Sequence, residues 1–419
     1  MISVEEALGK ILSYVEVLDP EEKPILDCLG QVLAEDIYST IDIPPLDNSA
    51  MDGYAVQAGD TRGANKSSPR HLAVVGEVAA GSMPTEEVRS GVAIRIMTGA
   101  PLPKGADAVV RFEDTDEVDR KSSQGRLWQI GILHQVEEGS NVRCKGEDIS
   151  KGGLVLKKGT MLRPPEIGLL ASLGRPTALV IRRPIVSVLA TGDELTDVEQ
   201  PLSPGKIYNS NTYTIAAEIL SYGGIPKILG IGGDSIQSLA EKISEGLDTD
   251  MFITSGGVSL GDYDIVKDVL AKSGEIAFWT VCMKPGKPLA FGVIKQGGKR
   301  VPHLGLPGNP VSSMVTFEQF ARPAILKMLG KRVLAKPTIQ AIMEDDVENN
   351  EGRRAFTRVM VIKRNGKYYA CLTGPQGSGI LTSMAKANGL AIIPEDSKGV
   401  RSGDIVQVQM LDWQEHPLH

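Results

Sequence analysis

Two lysines set among prolines, Met283-Lys284-Pro285-Gly286-Lys287-Pro288, are suited to chemistry on an anion. Proline restricts the loop, so both ammonium groups can be presented with little loss of freedom. The run Gly305-Leu306-Pro307-Gly308-Asn309-Pro310-Val311-Ser312 puts a proline at a helix start, leaving nearby N–H groups for an oxyanion. Thr191-Gly192-Asp193-Glu194 and Ser255-Gly256-Gly257-Val258-Ser259 follow apolar runs, where strand-end glycines let a phosphate approach backbone N–H groups. Neither GxGxxG nor GxxxxGK[ST] occurs, which removes dinucleotide and Walker-type readings. Glu194, Asp234 and Asp264 each follow a strand or open a helix. Any one of them is more often a helix cap, but three at one sheet edge could converge on Mg²⁺, which takes oxygen ligands.

The first half holds a second group of polar loops. Pro44 to Ala55 contains Asp52 before Gly53, so a carboxylate can be presented beyond a turn. Arg95 to Pro103 contains Thr98-Gly99-Ala100, a hydroxyl beside successive N–H groups that would equally serve as a strand-ending turn. Arg143-Cys144-Lys145-Gly146-Glu147-Asp148 reads alone as a surface ion-pair cluster. Near the other end, Gly352 to Arg358 and Gly374 to Ser378 offer guanidinium forks and a Gly-rich turn, by composition a surface strand and loop. No Ser/His/Asp set can be assembled, and Cys28, Cys144, Cys282 and Cys371 are far apart with no CxxC pair. A histidine base, a nucleophilic cysteine, a zinc ribbon and a disulfide framework are thereby disfavoured.

These loops need strands and helices to position them. Val4, Ala7, Leu8, Ile11 and Leu12 recur at helical spacing behind Ser3, and a second short helix is expected near Gly30–Asp36. From 43 to 142 short β-prone runs alternate with Gly and Pro. From 181 to 332 strands alternate with helices, which predicts a doubly wound α/β domain with a largely parallel sheet and ligand loops at its carboxyl edge. The strands read there are Ile185–Ala190, Lys227–Ile231, Met251–Thr254, Ile276–Cys282 and His303–Leu306, and a helix is expected over Asp264–Lys272. The expected organisation is multidomain α/β plus β. A helical or mixed linker domain spans 1–42 and 143–180, an inserted β domain 43–142, the α/β domain 181–332 and a small β domain 333–419.

With 419 residues, a single core is excluded. A net charge of −7, with 45 Lys+Arg against 52 Asp+Glu and no dense basic block, disfavours nucleic acid. No membrane-length apolar run or signal pattern appears, so a cytoplasmic protein is expected.

Seven segments together resemble the MoeA family of molybdenum cofactor biosynthesis, which includes the gephyrin E domain. They are Asp47–Ala55, Ile96–Pro103, Gly146–Asp148, Thr191–Leu195, Ser255–Ser259, Lys284–Pro288 and Gly305–Ser312, in the family's order along nearly the whole chain. The resemblance implies an elongated homodimer of four-subdomain protomers with a molybdopterin-binding-type α/β subdomain. It implies a molybdenumtransferase that inserts molybdate into adenylylated molybdopterin with Mg²⁺, releasing AMP. Carried over, Asp52, Thr98, Asp148, Lys284 and Lys287 are the catalytic positions, and Glu194, Asp234 and Asp264 the metal positions. Ser255, Gly256, Gly257, Ser259, Pro288, Pro307, Asn309, Ser312, Arg353, Arg358 and Ser378 are the substrate-binding positions. In the dimer, Asp52, Thr98 and Asp148 would face the α/β domain of the other protomer. Gly232-Gly233-Asp234 replaces the family's paired acids at that turn, and Asp262 is an extra acid that could substitute.

The residues agree chemically with that reaction. Molybdate and the adenylylated substrate are both anionic, and bringing two charges to ~4 Å costs roughly 1 kcal/mol in water and more at lower dielectric. Lysines, arginines and a metal offset this, and ligand exchange then needs positioning rather than a protein nucleophile. The adenylyltransferase step of the same pathway, whose enzyme is a possible partner, is disfavoured by the extra terminal domains. A noncatalytic pterin-binding scaffold would have no need of these acids and lysines. Tungstate could take the place of molybdate, being nearly the same size.

Overall fold

A strand covered on both faces reads as a nearly continuous apolar run, and Ile185–Ala190 and Met251–Ser255, broken only by small hydroxyl residues, are buried along almost their whole length. The computed structural model describes residues 1–117, 128–232, 236–256, 274–296 and 298–411, and the chain divides into two units. The first comprises residues 1–34, 161–163 and 177 onward. Its six-stranded sheet has the order Ile225–Ile231, Ile185–Ala190, Met251–Ser255, Lys299–Leu306, Pro288–Gln296, Gly274–Thr280. The first four strands pair in parallel, and Pro288–Gln296 runs antiparallel to both of its neighbours.

Helix Ser210–Ser221 and a helical run from Pro310 to Met328, broken by a π turn at Phe317–Ala321, pack on one face through Ile215, Ile219 and Val311 against Val186, Val188 and Leu304. Helix Ile236–Gly246 packs on the other, where Leu239 and Ile243 meet Leu189, Phe252 and Val301. This is the doubly wound α/β arrangement expected. The N-terminal helix Val4–Ser13, capped by Ser3, which accepts from the Glu6 N–H at 3.0 Å, buries Val4, Ala7 and Ile11 in the first of these cores.

Three local expectations change. Gly30–Asp36 is not helical: Ile25–Cys28 makes one 3₁₀ turn, Gly30 takes φ +78°, and Val32 and Leu33 bridge to Met161 and Val180 as extended chain. Strand Pro288–Gln296 was not anticipated, because it opens on proline and carries Gly292 at its centre. That glycine is required by close pairing, since a Cβ there would lie 2.0 Å from the Glu275 carbonyl oxygen. Strand Gly389–Ile393 was also missed. The helix expected over 264–272 lies outside the described residues.

The C-terminal strands close on themselves. Arg354–Arg364, Lys367–Leu372, Thr338–Met343, Ile405–Met410 and Gly389–Ile393 follow one another, and the last pairs back onto the first. Alternate residues Val359, Val361, Val406 and Val408 fill the interior. Met283–Lys284, from the proline-flanked loop, adds a short parallel strand beside Arg354–Ala355.

The second unit, residues 35–160 and 164–176, carries a five-stranded sheet. Its order is Ala108–Arg111, Gly53–Val56, Val92–Ile96, Arg70–Val78, Gln129–Ile132. Period-2 alternation sends Tyr54, Val56 and Val110 into one core and Ala55, Ile94 and Val109 into another. Gly53 is obligatory, since a Cβ there would lie 1.9 Å from the Val110 carbonyl oxygen.

Candidate active site

Three neighbouring parallel strands end in the loops that the sequence marked. The Thr191 N–H donates to the Ser255 carbonyl at 2.9 Å, and the Gly256 N–H to the Leu306 carbonyl at 3.0 Å. Gly256 takes φ +91°, and a Cβ there would lie 2.3 Å from the Thr191 carbonyl oxygen, so only glycine permits this approach. Asn211, in the first turn of helix Ser210–Ser221, donates its amide to Ser255 Oγ at 2.8 Å and to the Gly308 carbonyl at 2.7 Å. It pins two strand-end loops together. The sequence showed Asn211 only as part of a helix start, because its partners lie 44 and 97 residues away.

The helix beginning at Pro310 is closed partly from the barrel. The Val311 N–H donates to the Ser378 carbonyl at 3.1 Å, so that donor is not left open as expected. Asn309 precedes the helix without a capping side-chain bond and is exposed, Pro307 is buried, and Ser312 is buried in the first turn.

The lysine loop lies against the barrel. Lys284 Nζ meets Glu351 Oε1 at 2.5 Å, and the Arg353 guanidinium contacts the other oxygen of the same carboxylate. The Val281 N–H donates to the Lys287 carbonyl at 2.9 Å. Gly286 takes φ +100°, where a Cβ would lie 2.4 Å from Thr316 Oγ1, so the loop rests on the long helical run. Lys287 is exposed and makes no ion pair with any described residue, and Pro288 opens the adjoining strand. Arg358 is fully buried and points away from solvent. It donates to the Pro375 carbonyl at 3.0 Å, the Gly377 carbonyl at 3.1 Å and Ser383 Oγ at 2.7 Å. Its place is beneath the Gly374–Ser378 turn, shaping it, rather than on a substrate.

Glu194 is exposed at the sheet edge, its carboxylate folded over Gly192. It is an oxygen donor of the kind Mg²⁺ takes. Asp234, Asp264, Asp262, Gly257 and Ser259 lie outside the described residues. Among the described residues no three His, Cys, Asp or Glu side chains come together as a metal site.

In the second unit the Asp52 and Thr98 loops meet. One Asp52 oxygen accepts the Thr98 N–H at 2.7 Å and the Thr98 hydroxyl at 2.8 Å, which holds the Asp52 carboxyl below its ordinary range. The Asp148 N–H donates to the Ile43 carbonyl at 3.0 Å, leaving its side chain exposed. That segment is fastened by Asp47, which accepts from the Lys145 N–H at 2.7 Å, and by Asp42, which accepts from the Lys151 N–H at 2.7 Å. The Asp42 bond, aided by Lys145, lowers its carboxyl pKa in turn. Asp47 was visible in the sequence only as the first residue of a motif and Asp42 not at all, because Asp in a loop is so often a local turn former.

Known proteins match throughout. Residues 2–174 match the MoeA N-terminal region (domains I and II), 187–327 a probable molybdopterin binding domain, and 340–411 the MoeA C-terminal region (domain IV). The molybdopterin molybdenumtransferase 2 of Mycobacterium tuberculosis is 35% identical over 415 residues, covering 97% of this chain and 99% of that one. The molybdopterin molybdenumtransferase of Bacillus subtilis is 34% identical over 412 residues, covering 98% and 94%. A crystal structure of the molybdopterin biosynthesis MoeA protein of Pyrococcus horikoshii superposes with a TM-score of 0.80 at 35% identity, covering 99% of this chain and all of that one. With the strand-end loops, the lysine loop and the closing barrel all in the matched order, this chain belongs to the MoeA family, the molybdopterin molybdenumtransferases of molybdenum cofactor biosynthesis.

Proposed function

We propose that this protein inserts molybdate into adenylylated molybdopterin and releases AMP, with Mg²⁺ and as a homodimer in the cytoplasm. The observation that carries the reading is that Asn211 pins the Ser255 and Gly308 loops together while the turn shaped by buried Arg358 bonds to the helix that follows Asn309. The likeness to molybdenumtransferases over the full length supports it.

The strand-end loops receive the phosphate-bearing pterin, with Gly256 allowing close backbone approach and Asn211 keeping the Ser255 and Gly308 loops in register. Lys284, Lys287, Arg353 and the turn ending at Ser378 hold the oxyanion, and Ser312 sits in the adjoining helix turn. Arg358 positions that turn from below. Glu194, with Asp234 and Asp264, would hold Mg²⁺, which would neutralise charge at the phosphate. The Asp52, Thr98 and Asp148 set of one protomer serves the α/β site of its partner. Carboxylates on one set and lysines on the other support this pairing, and the pathway's adenylyltransferase is the natural donor of substrate.

Among the described residues no helix is long and apolar enough to cross a membrane. The test is AMP release from purified adenylylated molybdopterin, with molybdate, tungstate or neither, and with Mg²⁺ or a chelator. Molybdate- and Mg²⁺-dependent release supports the reading. Preference for tungstate reassigns the oxyanion, and tight pterin binding without AMP release in any combination makes the chain a scaffold.

A further inference from the structure

Glu351 belongs to none of the motifs above, yet its carboxylate joins two of the cations assigned to the oxyanion. It sits at the tip of Asn349-Asn350-Glu351-Gly352-Arg353, a turn whose base is fixed. The Asn349 N–H donates to the Lys398 carbonyl at 2.9 Å, and its buried side-chain amide to the carbonyls of Arg353 at 2.9 Å and Pro394 at 3.1 Å. Beyond that base Gly352 adopts φ +60° with nothing around its Cβ position. Neighbouring charge is already committed elsewhere. Arg354 is held by Glu395, at 3.1 Å, and by Glu5. That leaves Lys284 and Arg353 to share Glu351, one at each carboxylate oxygen.

We infer that Glu351 is a resident counter-anion, occupying Lys284 and Arg353 until the oxyanion substrate displaces it, and so setting the affinity for that substrate. The inference rests on the oxyanion role proposed for those two cations. Two cations brought together by the pairing of Met283–Lys284 with Arg354–Ala355 repel one another unless an anion lies between them. A carboxylate presents two oxygens to them, and so does one edge of a tetrahedral dianion. The exchange is feasible because the pair is only half buried, with side chains 46% and 41% exposed for Lys284 and Glu351. An ion pair of that exposure is weak, while a dianion brings twice the charge.

The experiment measures KM for molybdate and kcat for AMP release in the full chain carrying Glu351→Gln, Lys284→Ala, or both. Glu351→Gln is expected to lower KM about two- to five-fold, the range of a half-exposed ion pair, with the change on KM rather than kcat. Lys284→Ala is expected to raise KM, and in that background Glu351→Gln should lose most of its effect. Glu351→Asp, which keeps the charge but shortens its reach, should move KM the same way by less. If Lys284→Ala raises KM while Glu351→Gln leaves it unchanged or raises it, Glu351 is an ordinary surface acid and the inference fails. If Lys284→Ala leaves KM unchanged, the oxyanion assignment itself fails and takes the inference with it. Thermal unfolding of each variant separates these outcomes from misfolding.

Discussion

Thr98 donates twice to a single oxygen of Asp52, and the second bond can be removed alone. Thr98→Val keeps the backbone N–H and the side-chain shape while deleting the hydroxyl. AMP release should fall about ten-fold, the effect of one hydrogen bond to a charged group. Both bonds lower the Asp52 pKa, so deleting one raises it toward the ordinary range without neutralising the group near pH 7. The acid limb of the pH–rate profile therefore moves upward slightly while the plateau drops. An unchanged plateau would show that Asp52 needs no orientation from Thr98. Both residues were legible in their loops, but their contact spans 46 residues and no local pattern shows it. Arg358 shows the complementary limit: its type suggested an anion contact, while its burial beneath the Gly374–Ser378 turn depends on strand pairing.

At the scale of elements, glycine placement decides whether the strand-end loops can approach each other. Gly256→Ala puts a methyl 2.3 Å from the Thr191 carbonyl oxygen and forces φ +91° on an L-residue. A loss of about 1–3 kcal/mol of stability is expected in denaturant titration, together with loss of activity. Gly9→Ala is the control: it lies inside helix Val4–Ser13 with no neighbour at its Cβ position and should stabilise by about 0.5–1 kcal/mol. Equal effects at the two sites would contradict this account of the loop. The α/β alternation was readable because each parallel strand carries apolar residues into a turn that contains glycine: Gly192, Gly232, Gly256 and Gly308. Pro288–Gln296 escaped because its proline and glycine answer to neighbours rather than to strand propensity, and Gly30–Asp36 misled because apolar residues in an extended chain can imitate a helix stripe.

At the scale of the whole chain, the α/β body and the C-terminal barrel of the first unit meet over buried charge that no motif announced. Lys336 Nζ lies 3.0 Å from Glu318 Oε2 and 3.1 Å from the Leu411 carbonyl, and the Tyr222 hydroxyl donates to Glu318 Oε1 at 2.5 Å. Burial pulls Lys336 down against the opposing pull of Glu318. Glu218 is buried nearby with neither oxygen hydrogen-bonded, and burial, reinforced by the Glu318 charge, raises its pKa well above the ordinary 4.5. In the fold Glu218 keeps its proton, whereas the unfolded chain loses it above that ordinary value. The stability it contributes is thus fully present in acid and is lost as pH rises. Glu218→Gln should stabilise the protein at about pH 8 and not at about pH 4, and thermal unfolding at the two pH values checks the sign. The same-sized effect at both would contradict a titrating Glu218. The most direct measurement of the central claim is a single-turnover reaction on adenylylated molybdopterin that follows AMP and protein-bound molybdenum together, in wild type, Asp52→Ala and Lys287→Ala. One AMP released per molybdenum incorporated, lost in both folded variants, is the predicted result. AMP release without molybdenum uptake, or full transfer in both variants, would contradict it.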